Sequence, residues 1–79
     1  MRRPSNTGKA FGRVVRDVRR IADLSQERLA FRAKVHPTYI SQIERGLKSP
    51  SLDVVVAIAK ALHKRPYQLI KAAEESGAN

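Results

Sequence analysis

Apolar residues recur along this chain at helical spacing. Phe11, Val15, Val18 and Ile21 stand four or three residues apart, one stripe of a helix from Lys9 to Ile21. Lys9, Arg13, Arg16 and Arg20 form a second stripe that is wholly basic. Ser25 then offers an N-cap, Glu27 puts a negative charge in the first turn, and Leu29, Ala30 and Ala33 supply a short buried face. Lys34 and Val35 leave no room for a long loop. Pro37 opens another helix, because proline suits the first helical position. Tyr39, Ile40 and Ile43 carry that helix to Arg45, and Gly46 is placed to end it. A turn over 47–50 precedes Ser51 and Asp53, which start a helix whose core face is Leu52, Val55, Ile58, Ala59 and Leu62. Its valines, Val54, Val55 and Val56, lower helix propensity by a few tenths of a kcal/mol each, so packing must hold it. Pro66 begins a last short helix through Tyr67, Leu69 and Ile70. The pattern predicts an all-α, compact five-helix domain over 9–72, with a flexible basic arm over 1–8 and a flexible tail over 73–79.

Composition narrows what such a domain does. Its 79 residues allow one domain, with a hydrophobic fraction of 42% and a charged fraction of 29% that suit a folded chain. The longest apolar run, Val54 to Ala59, is far short of the roughly 20 residues a membrane helix needs. No signal-like apolar stretch follows Arg2 and Arg3, so a cytoplasmic location is expected. The absence of cysteine removes disulfides, thiolate metal sites and cysteine nucleophiles together. Sixteen Lys and Arg against seven Asp and Glu leave a net charge of +9, which points to an anionic partner, nucleic acid or an anionic surface.

The segment from Ser25 to Gly46 decides between them. Two short helices meet across a tight turn, with Ala30 at the expected crossing. The second helix buries Ile40 and Ile43 and carries Thr38, Ser41, Gln42 and Arg45 on its other face. All four can hydrogen-bond and none is acidic. A supported helix with such a face enters the DNA major groove, about 12 Å wide, where each base pair shows a distinct donor and acceptor pattern. The phrases Q-E-x-L-A, Y-I-S-Q-I-E-R-G, P-S-L and I-A-x-A-L together resemble the phage-repressor-like (XRE-type) helix-turn-helix family, from about Phe11 to Ile70. T-Y-I-S-Q-I-E-R-G also resembles the controller proteins of restriction–modification systems.

That resemblance implies roles. Gln26 would hydrogen-bond a phosphate and brace the recognition helix, and Thr38, Ser41 and Gln42 would face base edges, Gln42 best suited to adenine. Tyr39, Arg45, Lys48 and Ser49 would lie along the sugar-phosphate backbone, and His36, a polar N-cap, joins this DNA-facing set. Arg19 and Glu44 match a structural ion pair between the first helix and the recognition helix. Three positions depart from the family pattern. Lys34 stands where a turn glycine is usual, Pro37 replaces a base-reading side chain, and Lys64 and Pro66 replace apolar residues.

No phosphate loop, nucleophile elbow or pocketed carboxylate pair is present, so no enzyme and no cofactor is expected. His36 and His63 without cysteines or clustered carboxylates make a poor metal site. The basic stripe on the first helix is either a solvated face or a DNA contact, and Leu69 and Ile70 belong either to the core or to a dimer seam. The expected function is sequence-specific binding of double-stranded DNA, as a homodimer on a palindromic operator. The expected output is transcriptional regulation as a repressor or a restriction–modification controller. The alternative is an antitoxin that binds DNA and a toxin.

Overall fold

The computed structural model describes residues 6–77. The chain forms α1 (Asn6–Ile21), α2 (Gln26–Ala33), α3 (Pro37–Glu44), α4 (Leu52–Ala61) and α5 (Pro66–Gly77), with no strand among the described residues. None of these helices is long and apolar enough to cross a membrane. α1 lies against α5 and α3, and α2 bridges α3 and α4. The core they share is built on Phe11, Val15, Leu29, Ile40, Ile43, Ile58 and Leu69.

Local chemistry sets each boundary. The backbone N–H of Arg28 donates to Ser25 Oγ at 3.0 Å, and that of Val54 to Ser51 Oγ at 3.2 Å, which caps α2 and α4. Such caps contribute about 1 kcal/mol each. α5 begins with Pro66, and the N–H of Arg65 donates to Gln68 Oε1 at 2.9 Å, the side chain reaching back to close the first turn. The first four helices all end on a left-handed residue followed by a backward hydrogen bond. These residues are Asp23 (φ 60°), Lys34 (φ 60°), Gly46 (φ 75°) and His63 (φ 58°). The bonds run from Leu24 N to Arg19 O (3.0 Å), Val35 N to Ala30 O (3.0 Å), Leu47 N to Gln42 O (2.8 Å) and Lys64 N to Ala59 O (2.9 Å). Asp and His tolerate this conformation; at Lys34, where glycine was the expected residue, the Cβ costs about 1–2 kcal/mol. At Gly46 a Cβ would be strained by φ and also pressed to 2.9 Å from Lys9 Cγ.

The observed helices differ from the predicted ones in four places. α1 starts at Asn6, so Thr7 and Gly8 are helical and not part of an arm; the remainder of the expected arm, 1–5, lies outside the described residues. α5 continues to Gly77 in place of a tail from 73, because Ala73 is fully buried in the core and extends the packed stripe by a turn. Ile21 is 85% exposed. Ten residues on from Phe11, at 100° each, it has rotated about 80° off the buried stripe, in the helix's last turn. Leu52 is 78% exposed because it is the first residue of α4 and stands beyond the packed part of the helix, while Val55, Ile58, Ala59 and Leu62 are buried.

Candidate nucleic-acid interface

α3 is short, and its position is set by what lies beneath it. Ile40 and Ile43 are fully buried, and Gly12 of α1 touches the backbone at Ile43. A Cβ at Gly12 would overlap the Ile43 carbonyl oxygen, so only glycine lets α1 cross α3 backbone to backbone. Glycine inside a helix costs about 1 kcal/mol relative to alanine. Its occurrence amid an otherwise regular amphipathic stripe was the signal for a close crossing that sequence reasoning passed over.

Two turns further along α1, the same crossing brings Arg19 to Glu44. Arg19 Nε donates to Glu44 Oε2 at 2.6 Å and Arg19 Nη2 to Oε1 at 3.0 Å, a forked pair whose side chains are 10% and 2% exposed. Arg19 Nη1 donates to the Leu24 carbonyl at 2.7 Å. Gln26 Nε2 donates to Glu44 Oε1 at 3.0 Å. One carboxylate therefore ties α1, the α1–α2 turn, α2 and α3 together. Donating to the Glu44 carboxylate raises the Arg19 pKa above its ordinary value, against the opposing effect of burial. Gln26, expected to meet a phosphate, has one amide hydrogen engaged on Glu44; its second hydrogen and its carbonyl oxygen remain for an outside partner.

Above this base lies the outward face. Thr38 and Arg45 are exposed, and Ser41 and Gln42 are half-buried. Tyr39 packs partly on the core. His36 caps α3: its Nδ1 accepts the backbone N–H of Thr38 at 3.0 Å, which leaves Nε2–H as the side chain's donor. Lys48 and Ser49 are exposed in the connection to α4. That connection runs beside the start of α1, where Gly8 lies close to Ser49 and Lys9 packs on Gly46. The sequence-predicted residues thus fall on one continuous path through α3 and the following turn, with Gln26 reaching the path from α2. Glu44, on the same helix, is turned inward, so no carboxylate of α3 faces outward. In the basic stripe, Arg16 is half-buried and its Nε is buried without a hydrogen-bond partner.

Residues 15–69 match the family described as helix-turn-helix. Control protein C.BamHI of Bacillus amyloliquefaciens is 45% identical over 67 residues, which span 84% of this chain and 83% of that protein. The crystal structure of the restriction-modification controller protein C.AhdI from Aeromonas hydrophila aligns with a TM-score of 0.76 at 36% identity, covering 77% of this chain and 92% of that one. The clp gene regulator ClgR from Corynebacterium glutamicum aligns with a TM-score of 0.89 at 26% identity, covering 96% of this chain and 81% of that one.

Proposed function

Because this chain belongs to the helix-turn-helix family, we propose that it binds double-stranded DNA sequence-specifically as a homodimer and regulates transcription in the manner of a restriction–modification controller. The observation that carries the reading is the acid-free outer face of α3, held in one orientation by the Arg19–Glu44–Gln26 node. Thr38, Ser41 and Gln42 read base edges, and the Gln42 amide pairs its donor and acceptor with adenine. Tyr39, Arg45, Lys48 and Ser49 hold the sugar-phosphate backbone and set register. The free amide hydrogen of Gln26 and the Nε2–H of His36 donate to phosphates at the two edges of the same footprint. Pro37 presents no donor, so base readout falls to the later residues of α3.

Dimerisation follows from the apolar residues left outside. Leu52 and Ile70 line one shallow groove with Phe11 and Val55, and Val56 and Tyr67 continue this face along α4 and α5. Covering it with a second copy buries exposed apolar surface and sets two recognition helices about one DNA turn, roughly 34 Å, apart. Action on DNA places the protein in the cytoplasm, and the similarity to C.BamHI and C.AhdI favours a restriction–modification operator over other regulatory targets. Selection of bound duplexes from a random pool tests the whole reading. The expected product is a two-fold symmetric site with half-sites about 10 bp apart. A pool with no enriched sequence, or one asymmetric site bound by a monomer, would refute it.

A further inference from the structure

A second charged surface lies away from the recognition face. A cleft of about 490 Å³ opens between the C-terminal ends of α2 and α4. Arg32, Lys34, Lys60 and His63 stand around it over small alanines, Ala33 and Ala61 among them. None of Thr38, Ser41, Gln42 or Arg45 borders it, and no carboxylate does. Among the described residues the ion pair is Arg19–Glu44, and the side chains of Arg32, Lys34, Lys60 and His63 carry no hydrogen bond. Part of this charge has a local explanation: Arg32 and Lys60 sit in the last turns of α2 and α4, where a cation suits the helix dipole. Lys34 and His63 do not need to be there for that purpose. Both are left-handed residues at positions that glycine fills without strain, and both place their side chains on this one cleft. A lysine at a strained position beside three other basic side chains points to a ligand for the side chain.

The type of ligand follows from the other polar groups at the same place. Ala33 and Ala61 are the final residues of their helices, so carbonyl-rich, negatively polarised helix ends border the basic rim. A bare polyphosphate would satisfy the cations and meet the carbonyls unfavourably. A polypeptide offers N–H donors to the carbonyls, carboxylates to the rim and small apolar side chains to the alanine floor. We propose that this cleft docks an acidic segment of a partner protein, so that the regulator holds DNA on one face and an acidic polypeptide on another.

The probe is a fluorescein-labelled synthetic octapeptide alternating glutamate and leucine, titrated by anisotropy into the full chain without DNA. Its failure therefore leaves the DNA reading of α3 untouched. Saturable binding is expected, weakened about tenfold or more by Arg32→Glu or Lys60→Glu and unchanged by Lys71→Glu, which reverses an exposed charge on α5. Lys34→Gly separates folding from docking: it relieves the left-handed strain, so the melting temperature should rise while peptide affinity falls. Amide shifts on peptide addition should centre on Lys34, Ala61 and His63. Four results would overturn the proposal: no binding, equal binding of the glutamine counterpart, equal competition by tripolyphosphate, or shifts centred on Thr38 and Gln42. The third would make the cleft a general anion site, and the fourth would make the peptide a mimic of DNA.

Discussion

Arg19→Ala tests the geometry that positions the recognition helix. The substitution removes the forked contact to Glu44, at 2.6 and 3.0 Å, together with the 2.7 Å bond to the Leu24 carbonyl. Glu44, 2% exposed in its side chain, then keeps only the Gln26 amide as a donor. Removing one partner of a buried pair costs about 3–5 kcal/mol, mostly from the carboxylate left without compensation. A domain of this size holds on the order of 5–10 kcal/mol in total, so the loss consumes a large part of it. At about 4–8 °C per kcal/mol for such a domain, a melting temperature at least 12 °C lower is expected. Differential scanning calorimetry measures it directly. The double variant Arg19→Met with Glu44→Leu should recover much of the loss, since apolar replacements of similar volume leave no buried charge unpaired, and only the part-buried Gln26 amide and Leu24 carbonyl lose a partner. Below its melting point Arg19→Ala should keep the same ratio of operator to random-DNA affinity. A fall of less than about 4 °C, or an unchanged melting temperature with altered sequence preference, would refute this and make Arg19 a reading residue.

The outer face and the helix crossing provide the other tests. Gln42→Ala should cost about 1–3 kcal/mol on the selected operator and relax preference at one base pair, whereas Arg45→Ala should weaken operator and random duplex alike. Equal behaviour of the two variants on both DNAs would remove the distinction between reading and positioning. Gly12→Ala places a methyl group on the Ile43 carbonyl. Because backbone and not a flexible side chain must move, a loss of several kcal/mol is expected, opposite in sign to the gain alanine gives in an ordinary helix interior. A variant that melts as high as the parent would show that α1 and α3 tolerate a wider crossing.

The helices were legible where a local rule acts alone. Ser25, Ser51 and Pro37 marked helix starts because capping and the missing proline N–H are properties of one turn. Gly46 marked a helix end, but Asp23 and His63 end helices in the same conformation without a glycine to signal it. The predicted core went wrong at Ile21, which drifts off the buried stripe by the last turn of α1, and at Leu52, because apolar spacing does not report how far the neighbours of a helix extend. Ala73 failed in the opposite direction: a small residue in a polar stretch gives no sign that α1 lies against it. At the candidate site, residue types pointed to the outer face of α3, where Thr38 and Arg45 are exposed and Ser41 and Gln42 half-buried. The engagement of Gln26 on Glu44 joins residues 18 positions apart, and no periodicity carries that information.

The net charge of +9 takes on a different meaning once its members are placed. Arg19 is spent internally on Glu44, and Arg32, Lys34 and Lys60 surround a cleft off the recognition face. Of the described basic residues, the proposed footprint takes in Arg45 and Lys48, with Lys9 packed on Gly46 beside them as a third candidate; Arg2 and Arg3 lie outside the described residues. Three phosphate neutralisations per protomer make about six per dimer, and the logarithm of the binding constant should then fall against the logarithm of salt with a slope of about −5. If net charge alone governed binding, nine excess charges per protomer would give a slope about three times steeper. Equilibrium titrations on the selected operator over a range of potassium concentrations distinguish the two. A slope near the steeper value would mean that the cleft residues also face DNA, which would remove both the footprint drawn on α3 and the separate use assigned to the cleft.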